Sequence, residues 1–247
     1  MTSGLNGYGQ PVGEALPEWT SRPAPARVEL DGIHCRLEPL DPARHAADLY
    51  AAYASAPDDR NWTYLPVGPF ADAADYRAWA ETAAASSDPL HFAVMDHGTG
   101  KAVGTLALMR HDPANGVIEV GFVVFSPLLQ RTPVSTEAQS LLMAYAFDKL
   151  GYRRYEWKCD ALNAPSQRAA ARLGFTAEGV FRQAVVYRQR NRDTAWYSII
   201  DHEWPLIREA FQAWLAPANF DETGRQRHSL IELREALANT TSGRSNR

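Results

Sequence analysis

The sequence predicts a mixed α/β fold in which a mostly antiparallel sheet of six to seven strands carries helices on both faces. Three observations predict it. The 247 residues are 45% hydrophobic and 22% charged, ordinary for a globular protein and enough to build a substantial core. Apolar runs of strand length, alternating or continuous, recur between turns rich in Gly, Pro and Asp. Between them, apolar residues fall at helical spacing behind capping starts such as Asp41-Pro42, Ser135-Thr136 and Asn163-Ala164.

Each element follows in order. Residues 1–26 are rich in Gly, Pro and Ala with isolated aromatics at Tyr8 and Trp19, the composition of an extended arm pinned by Trp19. A first hairpin spans 28–37, hinged at Asp31-Gly32. Asp41 and Pro42 supply a cap and a first-turn proline for a helix over 42–55. A Pro/Gly loop over 57–69 carries Trp62, Tyr64 and Leu65, and a second helix over 72–86 carries Tyr76 and Trp79. Strands follow over 91–95, 102–110 and 117–125. The last of these is almost continuously apolar apart from Glu119, so it reads as buried on both faces with one charge that needs a reason. A helix over 136–150 ends at Gly151, a strand covers 155–161, and a helix over 163–173 closes at Gly174. Strands over 175–187 and 194–200 are joined around 189–193, and helices near 205–215 and 229–238 finish the chain. Residues 27–204 form the predicted domain, with 205–247 a helical extension.

The formal charge of −4 gives no sign of a nucleic-acid surface, and no apolar run reaches the length of a membrane span. The first residues lack an apolar run behind a basic one, so no signal peptide is expected. Cys35 and Cys159 are too few for a disulfide framework or a four-thiolate zinc site, and the histidines show no ligand spacing. A reduced, cytoplasmic, metal-free protein is expected.

The corner after residue 125 has chemistry of its own. A buried strand ends, a polar loop turns, and a helix begins whose first amides lack internal partners at the positive end of its dipole. Such a corner suits an anion, and Arg131 adds a formal charge. A well-capped helix that binds nothing, with Ser135 or Thr136 as cap and Glu137 in the first turn, is the alternative.

The segments QRTPVS-TEA, GYRRYEWKCDALN and NAPSQRAAARLGF resemble the GNAT acyltransferases, the last one the ribosomal-protein N-terminal acetyltransferase branch in particular. The resemblance covers about 28–204 and is most specific over 117–175. It implies a sheet splayed after the fourth strand, acetyl-CoA as co-substrate, and an amine or peptide amino terminus as acceptor. By resemblance, Gln130, Arg131, Thr132, Val134, Ser135 and Thr136 cradle the coenzyme A pyrophosphate. Phe122, Val123 and Val124 run beside the pantetheine, and Asn163 and Ser166 meet it from the next helix. One departure matters: Pro133 stands where the family has a glycine, and proline has no N–H to offer a phosphate.

Amine acylation must remove a proton from the attacking ammonium and return one to the leaving thiolate. Glu119 shares a strand face with Gly121 and, set among Val117, Ile118 and Val120, would have its carboxyl pKa raised by desolvation, making it the candidate base or water-positioner. The alternative is a Glu119 paired with Arg110 or Arg153. Where many relatives carry an acid tyrosine this chain has Ala170, so Ser166 is the candidate proton donor, or else a first-turn serine satisfying its own helix. Cys159 reads as a small core residue. The Arg188, Arg190, Arg192 run reads as a solvated hairpin tip or, near the site, as a steering patch. Trp62 and Tyr64 are preferred over Trp79 as acceptor-pocket walls. A coenzyme A-binding module without transfer activity and a scaffold protein are the rival functions, and the terminal segments are candidates for homodimer contacts.

Overall fold

A computed structural model describes residues 4–244, so the first three residues of the predicted arm and the last three of the predicted extension lie outside the described residues. The arm carries a two-stranded ribbon, β1 (Gly4–Leu5) with β2 (Pro11–Val12), and then folds back on the domain. Trp19 donates its indole N–H to the Ala114 carbonyl at 2.8 Å, and Arg22 places its guanidinium 4.4 Å from the Trp19 ring centroid. Further along, the amide of Ala26 donates to the Tyr145 hydroxyl.

The remaining strands are β3 (Leu30–Asp31), β4 (Cys35–Pro39), β5 (Leu90–Asp96), β6 (Lys101–Asp112), β7 (Val117–Phe125), β8 (Arg154–Asp160), β9 (Thr176–Tyr187) and β10 (Arg190–Ile200). They form one eight-stranded sheet in the order β3-β4-β5-β6-β7-β8-β10-β9, above the expected six to seven, with the hairpin expected over 28–37 supplying β3 and β4. Neighbours are antiparallel except β7 and β8, which run parallel because a helix crosses between them. The β9–β10 connection is tighter than expected. Arg188 and Gln189, with φ of 47° and 58°, form a two-residue turn with both φ positive, so pairing begins at Arg190 rather than near 194.

Helices α1 (Pro42–Ala54) and α2 (Ala73–Ala85) cover one face, capped by the Asp41 and Asp72 carboxylates. Helices α3 (Pro133–Ala144), α4 (Ala164–Leu173), α5 (Trp204–Leu215) and α6 (Leu230–Arg244) lie on the other side. Strand alternation feeds two cores. Leu37, Phe92, Leu106, Ile118, Tyr155 and Ile199 pack with α3 to α5, whereas Ala93, Ala102 and Val124 pack with the aromatics of α1 and α2. Trp204, Ile207, Phe211 and Trp214 belong to the larger core, so α5 is continuous with it.

Glu137 ties α3 to the first hairpin. Its buried carboxylate accepts from the amides of Ile33, His34 and Cys35 at 2.7, 2.6 and 2.8 Å. A Cβ at Gly32 would lie within 2.6 to 2.8 Å of the same carboxylate, so the turn needs glycine for closeness. Glu137 therefore serves a distant hairpin rather than the first turn of its own helix.

Candidate active site

Two bulges shape the middle of the sheet. Between the pairs Ala107–Gly121 and Thr105–Val124, β7 spends one residue more than β6, and Phe122 takes a φ of 47° to absorb it. Pairing of β7 with β8 covers only Val117–Val120 against Arg154–Trp157, so from Gly121 onward β7 has lost its β8 partner. The sheet opens there. The second bulge is on β6, where Arg110 has a φ of 49° and the Asp88 carboxylate accepts from the amides of Arg110 and His111 at 2.7 and 3.1 Å.

That second bulge aims Arg110 at Glu119. The Glu119 side chain is 5% exposed, and its Oε2 lies 2.8 Å from Arg110 Nη1 and 2.9 Å from Lys158 Nζ. The expectation of a carboxylate surrounded only by apolar side chains is thus corrected. Glu119 points to the side of β7 opposite Ile118 and Val120, where cations from β6 and β8 meet its charge, as the alternative pairing with Arg110 anticipated. Its other oxygen, Oε1, takes no hydrogen bond among the described residues and lies on the Gly121 side, 3.9 Å from where a Cβ of Gly121 would sit. The Met109 sulfur crosses Gly121 so closely that a Cβ there would collide with it.

Across the opening, α4 approaches β8. Asn163 is the N-cap, its Oδ1 accepting from the Ser166 amide at 3.1 Å. Ser166 Oγ accepts the indole N–H of Trp157 at 2.9 Å, and its own hydroxyl donates toward the Cys159 sulfur. Trp157 is the last β8 residue paired with β7, so Ser166 stands at the lip of the splay. Ala170 is fully buried. Cys159 is also buried, and desolvation pushes its thiol up, as expected of a core cysteine rather than a nucleophile.

The anion corner is organised differently from the sequence expectation. Helix α3 starts at Pro133, with Thr132 as N-cap, so the proline occupies the first helical position, where a missing N–H is least costly. Neither Ser135 nor Thr136 caps the helix. The Thr132 and Ser135 hydroxyls turn back onto the carbonyls of Leu129 and Thr132 at 2.8 and 2.7 Å, and no side chain caps the first-turn amides. Thr136 is buried with its hydroxyl accepting from Arg172 at 2.8 Å, so only its backbone is available to a phosphate. Arg131 is exposed, with φ of 63°. Gln130 folds onto the Phe125 carbonyl at 2.8 Å, and the Val124 carbonyl is taken by the Tyr53 hydroxyl at 3.3 Å. Phe122 and Val123 remain half-buried at the open edge.

The acceptor side also revises expectation. Trp62 is a core residue, edge-on to Tyr53 and Phe70 at 5.3 and 5.4 Å. Trp79 is half-buried and reaches toward the bulge through His91, whose ring is 5.7 Å from Trp79 and 5.1 Å from Phe122. Burial holds the His91 imidazole down to about 4, hence neutral. The 57–69 loop is moored to the β8–α4 connection and to the β9–β10 turn. Tyr64 donates to the Leu162 carbonyl at 3.1 Å, and Arg188, exposed at the hairpin tip as expected, donates to the carbonyls of Val67 and Gly68. Among the described residues no group of three or more His, Cys, Asp or Glu is arranged to hold a metal.

Residues 34–176, which hold the parted half-sheet and the bulged strand, match the model of the acetyltransferase (GNAT) domain. The chain belongs to the GNAT acetyltransferase family. A GCN5-related N-acetyltransferase structure from Brucella melitensis is 51% identical and covers 89% of this chain and 100% of its own, with a TM-score of 0.88. A Chromobacterium violaceum structure assigned to the GNAT family is 42% identical over 79% of this chain and 98% of its own, at a TM-score of 0.73. The Bacillus subtilis protein YdaF, whose name proposes a ribosomal N-acetyltransferase, is 27% identical over 105 residues, 42% of this chain and 57% of its own. This GNAT protein is accordingly an acyltransferase, and its family uses acetyl-CoA as co-substrate.

Sequence reading did not single out Lys158, Glu156 and Trp196, which cluster beside Glu119, or His91, which packs against Phe122 at the bulge. Arg154, Glu156, Lys158 and Asp160 alternate along one strand beside the strand of Glu119, a period-two row of charge that was visible in RRYEWKCD.

Proposed function

We propose that this GNAT enzyme acetylates a primary amine by direct attack within a ternary complex, with Glu119 receiving or orienting the amine proton and Ser166 supplying the proton to the departing thiolate. The co-substrate brings the acetyl group as a thioester. The C–N bond forms as the C–S bond breaks, the amine proton passes toward Glu119 Oε1, and Ser166 gives its hydroxyl proton to sulfur and recovers one from solvent.

One observation carries the reading. At the place where β7 leaves β8, a carboxylate oxygen with no hydrogen bond among the described residues lies on one strand, and a serine hydroxyl stands at the other lip, its proton turned toward the Cys159 sulfur, a weak acceptor that a thiolate would displace. The uncapped amides of Val134, Ser135 and Thr136, with Arg131 beside them, suit the pyrophosphate. The half-buried backbone of Phe122 and Val123 suits the pantetheine arm, and so does Asn163. Pro133 fits this arrangement because it sits at the first helical position. The YdaF name and the NAPSQRAAARLGF resemblance favour a peptide or protein amino terminus as acceptor. The reading includes a cytoplasmic location, supported by two buried, unpaired cysteines.

The test is free-thiol release from acetyl-CoA across a panel of amines and amino-terminal peptides, beside calorimetry with coenzyme A. Turnover on at least one acceptor, lowered at least about tenfold by Glu119→Gln, is expected. Binding without turnover on any acceptor would favour the rival coenzyme A-binding module. Full activity of Glu119→Gln together with Ser166→Ala would remove both residues from the chemistry.

A further inference from the structure

Lys158 is a buried lysine outside every role assigned so far. Its side chain is 7% exposed, an unusual depth for an ammonium. Register explains it. Glu119 on β7 lies directly beside Glu156 on β8, so two carboxylates share one face of adjacent strands and repel each other. Lys158 follows Glu156 by two residues on the same face and puts its Nζ between them, 2.9 Å from Glu119 Oε2 and 2.7 Å from Glu156 Oε2. The Trp196 ring of β10 closes over the ammonium, with Nζ 3.8 Å from the ring centroid.

The two carboxylates are used unequally. Glu156 spends both oxygens, Oε1 on Arg154 at 2.7 Å and Oε2 on Lys158. At Glu119 both cations converge on Oε2, and Oε1 is left toward Gly121. Two cations on Oε2 fill that oxygen's lone pairs and leave those of Oε1 for another donor. Convergence on one oxygen fixes the carboxylate plane and keeps the other oxygen free at the opening. We infer that Lys158 is a positioning residue for the transfer reaction, clamping Glu119 through Oε2 so that Oε1 meets the acceptor amine. This rests on the reading of Glu119 given under Proposed function.

The test uses the full chain, acetyl-CoA and the best acceptor of the amine panel. Lys158→Met removes the clamp but leaves buried carboxylates short of a cation and endangers folding. A second variant therefore combines Lys158→Met with Glu156→Gln, matching the lost cation with a lost anion. In that variant the melting temperature is expected to return toward wild type while kcat stays down by about tenfold or more, to the level of Glu119→Gln alone, and the Kd for coenzyme A is unchanged. In a Glu119→Gln background the same pair of changes is expected to lower kcat little further, because the group it positions is already gone. Recovery of kcat along with stability, or full additivity with Glu119→Gln, would overturn the inference and leave Glu119 in place. Full activity of Glu119→Gln alone would instead overturn the reading of Glu119 and this inference with it.

Discussion

His91 offers a prediction whose size follows from the structure. It is 3% exposed on β5, in a cross-strand row with Ala107 and Gly121, and its nearest rings, Trp79 and Phe122, carry no charge. Burial lowers it from an ordinary 6.5 to about 4. Unfolded chains bind a proton at this histidine below about pH 6.5, while the folded protein declines it until about pH 4, so stability falls as pH falls through that window. Each pH unit inside it is worth about 1.4 kcal/mol, which gives roughly 2 kcal/mol by about pH 5. Above about pH 7 the effect vanishes. The measurement is urea unfolding of wild type and His91→Leu near pH 7 and near pH 5. Carboxylates shared by both proteins titrate alike, so the difference isolates the imidazole. Wild type should lose about 2 kcal/mol more than the variant between the two conditions. Parallel losses would show that the folded site accepts the proton and would refute the account of burial.

Two further outcomes follow from the same geometry. Glu137→Gln should destabilise the fold by about 3 kcal/mol in denaturant unfolding, because three backbone donors of the first hairpin exchange a charged acceptor for an amide that is itself half donor. Gly121→Ala should lower kcat/KM by about tenfold or more with a smaller effect on melting temperature, since the new methyl must push the flexible Met109 thioether aside next to Glu119 Oε1. Unchanged kinetics in that variant would place the reacting atoms away from Gly121.

Most of the fold was legible because it rests on periodicity and punctuation. Asp41-Pro42 and Asn163 marked helix starts, Gly174 marked a helix end, and the apolar run of 117–125 marked the central strand. What was illegible depended on partners far along the chain. Nothing local to Arg188 and Gln189 announces a tight turn, since neither is the glycine or asparagine that such positive φ values favour. Trp62 looked free in a Pro/Gly loop and Trp79 looked internal to a helix, yet α1 supplies Tyr53 to bury the first, and the second reaches His91.

Glu119 and Pro133 show the same lesson working in opposite directions. Reading Glu119 among its sequence neighbours gives a desolvated acid, because Ile118 and Val120 flank it; in a strand those neighbours face the other way, and the residues that set its electrostatics come from β6 and β8. Reading Pro133 against a loop pattern gives a missing donor; in three dimensions the helix begins two residues earlier than Ser135, and the proline falls where a helix has no use for that N–H. Strand alternation moved a charge out of an apolar setting, and a shift of helix start turned an apparent defect into a rigid entry. Under the proposed function, the pyrophosphate would rest on backbone amides, because the Thr132 and Ser135 hydroxyls donate to carbonyls and the Thr136 hydroxyl accepts from Arg172, whereas the proposed reacting side depends on side chains held by long-range ion pairs. Coenzyme recognition at that corner should therefore tolerate side-chain change far better than the geometry around Glu119 does.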